Sequence, residues 1–576
     1  MDRLVLLLFL LVTLGATKQL CSREFHSVIV NNQTLYIDGG ELRYIDGDDE
    51  ITVETAYDLL AVDLSKSWSN YDSNLFTTIK KPYNESDPDA YPPAMNEGAT
   101  FSDGSNLYFY GGYVTRYNER LDSPPPVATW KYNIESGDWT SDGFRGAIFQ
   151  RMAEGATAQS SVHKKAYYLG GEVDTEGNPA LSRVHGASPY SVSGMLVLDQ
   201  NTLEWSNISS EGLNEYGTLN NGYMNLIEEF GDEGILVTFG GNTHPIGQGL
   251  DILAQKQNSP DLQNSMESIS IYDIANDKWY TQKSTGDIPH WRMAGCTVVA
   301  AAPDLSSFSI YVFGGMSNST ITSDGDVYVL SLPSFRWIRV VDGGDLRIEH
   351  KCQLAGKHTM LAIGGLIPYG SEEFKPKPST CDSGTFQNGI GIFDLNEHDW
   401  LFNYDADDGE YKVHQNISNV IGGSVTGGAT VTKPEKGFGS TDIANLFENK
   451  KTVSSSSASP SSTSTAQSDT SFNPLSKGGI AGATVGAVAG AATLGGLAFL
   501  AIAYKRRRNA KWNRDIIDPN GKGRQPHLAE LNGQGRPVEL GMSEVAEMSA
   551  NNVPPQELPA DISHTRAELD GSQNSR

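Results

Sequence analysis

Arginine, histidine and aromatic side chains recur at set places in this chain, and its chemistry would begin with them. Arg23, Arg151, Arg292 and Arg347 each stand three or four residues before a His or Gly that opens an apolar strand. The stretch "PHWRMAG" sets His290 and Trp291 beside one of them. Long segments between strand-like runs, roughly 113–129, 172–193, 242–268 and 366–389, contribute Tyr113, Tyr117, Arg183 and His185. Long loops in compact domains are usually functional or disordered. Guanidinium groups and aromatic faces gathered at one mouth suit a glycan or a peptide carboxylate. The same repetition also fits an architectural role, each Arg bonding carbonyls of a neighbouring repeat.

Other chemistries find less support. The chain has no His-x-x-x-His, no Cys-x-x-Cys and no Gly-x-Ser-x-Gly. The acidic run "DGDDE" (46–50) lacks the ordered alternation of a calcium loop and reads as a solvated turn. No catalytic residue, metal ligand or cofactor is assigned on these grounds. The net charge is −27, and the last 72 residues balance 11 basic against 10 acidic groups, so the excess lies N-terminal to them. Such a surface repels phosphate backbones and argues against nucleic acid as a partner.

The elements that must position these side chains are legible as a repeat. An apolar run closed by Gly-Gly occurs six times, at Gly39–Gly40, Gly111–Gly112, Gly170–Gly171, Gly240–Gly241, Gly314–Gly315 and Gly364–Gly365. A second run ending in Trp alternates with it, at Trp68, Trp139, Trp205, Trp279, Trp337 and Trp400. Each unit holds four strand-like pieces. In the fifth they are 296–301, 309–315, 326–332 and a strand starting near Trp337, with "PSF" as the tight turn between the last two. Four short strands repeated six times predict an all-β, six-bladed propeller. The glycines would permit close backbone approach and φ > 0, and each Trp would fill the wedge between adjacent blades.

This apolar-Gly-Gly and Trp signature, running from about His26 to Trp400, resembles kelch repeats. "NVIGGSVTGGAT" (419–430) imitates a seventh Gly-Gly, but no strand–Trp unit follows it. Some kelch-like propellers resemble galactose oxidase, whose copper needs a Cys–Tyr cross-link and two histidines; no such set stands out here. The four cysteines fit disulfides better. Cys352 opens the sixth unit and Cys381 lies in its long loop, and these two are the expected pair. Cys21 and Cys296 remain as a second pair that the sequence alone does not establish.

The full layout is similar to that of fungal single-pass kelch-propeller surface proteins. Residues 1–17 read as a signal peptide, 22–435 as the propeller with a C-terminal extension, and 436–477 as a disordered Ser/Thr-rich stalk. Residues 478–504 are uncharged and long enough to span a bilayer, and "KRRR" follows at once. That charge step would place 505–576 in the cytosol as a disordered tail and the bulk of the chain outside the cell. Five Asn-x-Ser/Thr sequons, at Asn32, Asn84, Asn207, Asn318 and Asn416, all precede the span. Gly478, Gly482, Gly486 and Gly490 fall on one helix face, a pattern that suits homodimerisation or merely a small-residue span. The expected function is non-enzymatic binding of an extracellular glycan or protein ligand at the cell surface. An extracellular oxidase or other carbohydrate-active enzyme, and a structural wall glycoprotein, are the alternatives.

Overall fold

The computed structural model describes residues 19–448, apart from short internal stretches, chiefly 46–50, 179–188, 247–261, 318–321 and 368–380. The signal peptide, most of the stalk, the apolar span with its four glycines, the tail, Arg183, His185 and Asn318 lie outside the described residues. Among the described residues no helix is long and apolar enough to cross a membrane.

Each repeat unit is an antiparallel meander, with its first strand innermost. The innermost strands are β2 (Ser27–Asn31), β3 (Asn96–Ser102), β4 (Ala156–Ser160), β5 (Tyr223–Ile227), β6 (Cys296–Ala301) and β7 (Ile348–Ala355). In unit 5, β6 pairs with Phe308–Phe313, which pairs with Val327–Leu332, which pairs with Arg336–Val341. Every residue of Phe308–Phe313 is buried, which accounts for its continuous apolar run: both of its faces meet neighbouring blades. The strand limits match the sequence expectation to within a residue or two.

One expectation is corrected. Five units form sheets of their own, with four or five strands each, but the sixth does not. Its second strand β8 (Thr359–Leu366) also pairs, through Arg23 and Gly365, with the N-terminal strand β1 (Gln19–Glu24). Strand β1 also pairs antiparallel with Glu41–Ile45, which pairs with Ile51–Thr55, giving one seven-stranded sheet in place of a sixth separate blade.

The Gly-Gly pairs join units to each other. A Cβ on Gly314 would lie 2.6 Å from the carbonyl oxygen of Arg347, at the start of the next unit, and φ there is +62°. The N–H of Gly315 donates to that same carbonyl at 2.8 Å. At the seam, a Cβ on Gly364 would lie 2.4 Å from Arg23 O, so the last unit closes on the first by the same contact. The Trp side chains fill the wedges as expected. Trp205 lies 4.8 Å (ring centroids) from Tyr110 of the preceding unit and donates to Thr129 Oγ1 at 3.0 Å. Trp337 lies 5.3 Å from Phe239 and donates to Met266 O at 2.9 Å.

Both cysteine pairings differ from expectation. Cys21 is bonded to Cys381 and Cys296 to Cys352. The first joins β1 to the loop of the unit it pairs with, so the seam brings them together. The second joins neighbouring innermost strands, β6 and β7. Sequence position within a unit could not reveal either, because both bonds cross between units.

The C-terminal extension is ordered further than the sequence suggests. Helix α1 (Gln415–Ile421) buries Ile417 and Ile421 against units 5 and 6, and 419–430 is helix and turn, not a blade. Helix α2 (Thr441–Glu448) buries Ile443, Leu446 and Phe447 against units 4 and 5. Residues 436–448 therefore belong to the folded domain and not to the stalk.

Candidate functional site

The residue just before each first-strand His or Gly adopts the left-handed conformation: Phe25, Glu97, Glu154, Asn221, Ala294 and Glu349, with φ between +51° and +61°. Side chains other than Gly are uncommon there and mark positions held by their surroundings. The surroundings are each other. Glu97 N donates to Phe25 O (2.7 Å), Asn221 N to Glu154 O (2.9 Å), Ala294 N to Asn221 O (3.0 Å) and Glu349 N to Ala294 O (2.8 Å). These bonds stitch the starts of successive innermost strands into a collar around the propeller axis. Beside the collar, the six strands enclose a cavity of about 200 Å³.

The collar carries a concentration of acid. Glu97 is 5% exposed, and its Oε2 lies 3.0 Å from Lys351 Nζ. Burial first, and then the neighbouring carboxylates, push Glu154 and Glu349 well above the usual carboxylate range. Burial lowers Lys351, but Glu97 and Glu349 more than offset it and hold its ammonium charged. Tyr113, from the end of the second strand of unit 2, is pushed up by burial and then by Glu97, Glu154 and Glu349. Glu349 also shares a side-chain hydrogen bond with Glu97, which raises it further. The cavity wall is polar, with Ser27, Thr100, Thr157, Asn225, Thr297 and Gln353. Ser27 Oγ and Thr100 Oγ1 are 2.6 Å apart, joining two of these strands.

Of the residues proposed from sequence, Tyr113 reaches the collar. The recurrent arginines are engaged by backbone carbonyls. Arg292 is fully buried and donates to Gly314 O at 3.1 Å. Arg347 donates to Gly364 O at 3.2 Å and pairs with Asp382 at 2.6 Å. Arg23 donates to Gly39 O at 3.0 Å, and Arg151 to Gly177 O at 2.7 Å and Pro126 O at 3.0 Å. The arginines do bond backbone carbonyls, but those of Gly39, Gly314 and Gly364 belong to each arginine's own unit and not to a neighbouring repeat. Trp291 is half-buried and donates to Gly241 O at 2.8 Å, His290 is exposed and Tyr117 is half-buried. The acidic collar was missed because its six residues share a backbone conformation but no side-chain type. The position directly before the recurrent His or Gly was the available signal.

No family model matches the chain. A kelch repeat-containing protein of Arthroderma benhamiae is 27% identical over 475 residues, covering 72% of this chain. The resemblance is to the kelch propellers. This chain spans 65% of that kelch protein's length. The solved structure of YjhT aligns with a TM-score of 0.43 at 13% identity, covering 67% of this chain and 99% of that one. The Gly-Gly and Trp positions make the contacts between units described above.

One further cluster merits description. Cys296, His350 and Cys352 bring ligand atoms within 4.8 Å of one another. The two sulfurs are bonded to each other, and His350 Nε2 lies 3.2 Å from Phe313 O. Disulfide sulfurs are not thiolate ligands, so the cluster is structural as it stands.

Proposed function

We propose that this chain is a non-enzymatic, surface-anchored kelch propeller whose six units close one ring and whose loop face binds an extracellular glycan or protein ligand. The observation that carries the reading is where the C-terminal extension lies. Its polar contacts fall on the short turns between first and second or third and fourth strands. Ala406 N donates to Ser67 Oγ (3.0 Å), Lys412 N to Asn396 Oδ1 (2.6 Å), Gly428 N to Asp304 Oδ2 (2.6 Å), and Lys278 pairs with Asp442 at 2.8 Å. The chain thus leaves the domain on the turn face. The collar and the long loops belong to the opposite end of the strands. A tether attached after residue 448 would join the propeller at the turn face and leave the collar clear. Exposed Asn32 and Asn416 also lie on the turn side, where glycans would leave the collar clear.

The test is a glycan and wall-fraction binding screen with the full-length protein displayed on cells, intact against protease-stripped. Saturable binding that is lost on stripping supports the reading. Stoichiometric copper with peroxide release would overturn it in favour of an oxidase, and absence of all binding in favour of a structural wall protein.

A further inference from the structure

Every other arginine whose side chain is described donates to a carbonyl or carboxylate oxygen. Arg120 is the exception: among the described residues its guanidinium meets no oxygen acceptor. It is half-buried and lies in the long loop that follows Gly111–Gly112, at the loop end of the second unit. Its guanidinium carbon stands 3.8 Å from the ring centroid of Tyr57 and 4.8 Å from that of Tyr83. Aromatic rings attract the charge through their π faces but leave the N–H donors without an oxygen. Neither adjacent acid supplies one. Asp58 pairs with Lys80 at 2.6 Å, and Glu119 stands in solvent.

The place is held ready. Tyr57 Oη accepts from Glu119 N at 2.7 Å and donates to Asn118 Oδ1 at 3.3 Å, and Tyr83 Oη donates to Arg120 O at 3.3 Å. Asn118 Oδ1 also accepts from Arg120 N at 2.9 Å and Leu121 N at 3.2 Å, and Asn118 N donates to Thr115 O at 3.0 Å. Both rings and the loop backbone thus fix one another, and a ligand has little left to order. Three features narrow its class. A guanidinium takes an anion, and one positive charge in a chain of net −27 suits a singly charged carboxylate better than a phosphate dianion. The backbone N–H groups of residues 118–121 are all spent within the site, so an extended peptide would find no main-chain donor there. What remains outward is aromatic, with Tyr83 39% exposed. A ring of that kind beside a carboxylate receptor suits a pyranose, whose C–H face lies on the ring while its acid reaches the guanidinium.

We propose that Arg120, Tyr57 and Tyr83 form a receptor for a sugar acid, a pyranose bearing one carboxylate as in a uronate. This names a ligand class for the loop face and rests on the glycan-binding reading above.

The test is titration calorimetry of the full-length protein with trigalacturonate, its methyl ester and a blocked Gly-Glu-Gly peptide. Trigalacturonate binds, and the ester, which keeps the rings and loses the charge, binds at least about tenfold more weakly. The peptide, which keeps a carboxylate and loses the ring, is also weaker. Arg120→Gln removes the preference for acid over ester at unchanged melting temperature. Arg120→Lys, which keeps the charge without the planar fork, retains only part of it. A preference that survives Arg120→Gln overturns the inference, as does equal binding of acid and ester by the native protein, which would leave glycan binding intact. Equal binding of the peptide overturns the assignment to a sugar. No binding by any of the three overturns the inference, and the wider glycan screen then decides the parent reading separately.

Discussion

The seam where the last unit meets the first offers the sharpest test of the architecture. Cys21–Cys381 spans 360 residues and Cys296–Cys352 spans 56. If a cross-link acts by restricting the unfolded chain, its effect grows with the logarithm of the loop. The relation gives about 5.9 kcal/mol for the long loop and about 4.2 kcal/mol for the short one, a difference of about 1.7 kcal/mol. Unfolding entropy for the roughly 370 described residues is about 0.78 kcal/mol per kelvin, so these become about 7.6 °C and about 5.4 °C in Tm. The variants Cys21→Ser/Cys381→Ser and Cys296→Ser/Cys352→Ser are compared by calorimetry, after non-reducing peptide mapping confirms the pairing in the parent. The larger drop belongs to the seam pair. An equal or smaller drop would show that the β1–β8 pairing and the Gly364 contact already close the ring unaided. Mapping that recovers Cys352 joined to Cys381 would refute the pairing itself.

Three further outcomes follow from particular contacts. Gly314→Ala places a methyl 2.6 Å from Arg347 O at φ +62°, whereas Gly343→Ala faces open space at φ +77°. Both bear the left-handed penalty of about 1–2 kcal/mol, so urea unfolding should show the Gly314 variant lower by a further ~1–3 kcal/mol. His398 is held down to about 3 by burial and then by His414, and its Nε2 lies 3.1 Å from Tyr311 Oη. A folded value below the unfolded ~6.5 means stability present above pH 6.5 and lost as pH falls toward 3, about 2 kcal/mol by pH 5. His398→Asn keeps the left-handed backbone (φ +54°) and should flatten that loss. The comparison is between variant and parent because Glu24, raised to about 7 by burial, gains stability as pH falls below 7. Finally, Phe447→Ala removes a ring 4.6 Å from Phe230 and 5.1 Å from Phe335. Hydrogen exchange should accelerate across 441–448 by two or more orders of magnitude, from a cost of about 3–5 kcal/mol, while exchange in β5 and β6 stays slow. Unchanged exchange in the helix would show that α2 is held by other contacts.

How far the sequence disclosed this structure depends on whether a feature repeats. Gly-Gly and Trp recur because every unit must meet the next in the same way, and six copies of one requirement are easy to see. Arg292 and Arg347 recur because each bonds a Gly-Gly carbonyl of its own unit in the same way. Features that occur once were hidden. Cys381 meets Cys21 only because the ring closes, and nothing near either residue records that. Helices α1 and α2 are each a single short amphipathic turn or two, with too little periodicity to stand out from "VTKPEKGFGS" and the serines that follow. The collar was hidden differently: Phe25, Ala294 and Glu349 answer to one backbone demand, and left-handed φ leaves little trace in side-chain type when the hydrogen-bonded ring enforces it.

The extension lying across the turn face also has a mechanical side. A pull on the chain beyond residue 448 is met first by α2, with Phe447 at the point of loading. The path then runs back through Glu435 on Arg336, Gly428 on Asp304 and Lys412 on Asn396 before it reaches Tyr404, whose Oη donates to Leu64 O of the first unit at 3.2 Å. Those contacts are arranged in series, so they give way one at a time, as in peeling, and each releases a length of slack. The closed ring carries no tension until the last of them has gone. The extension is therefore a shock absorber as well as a tether.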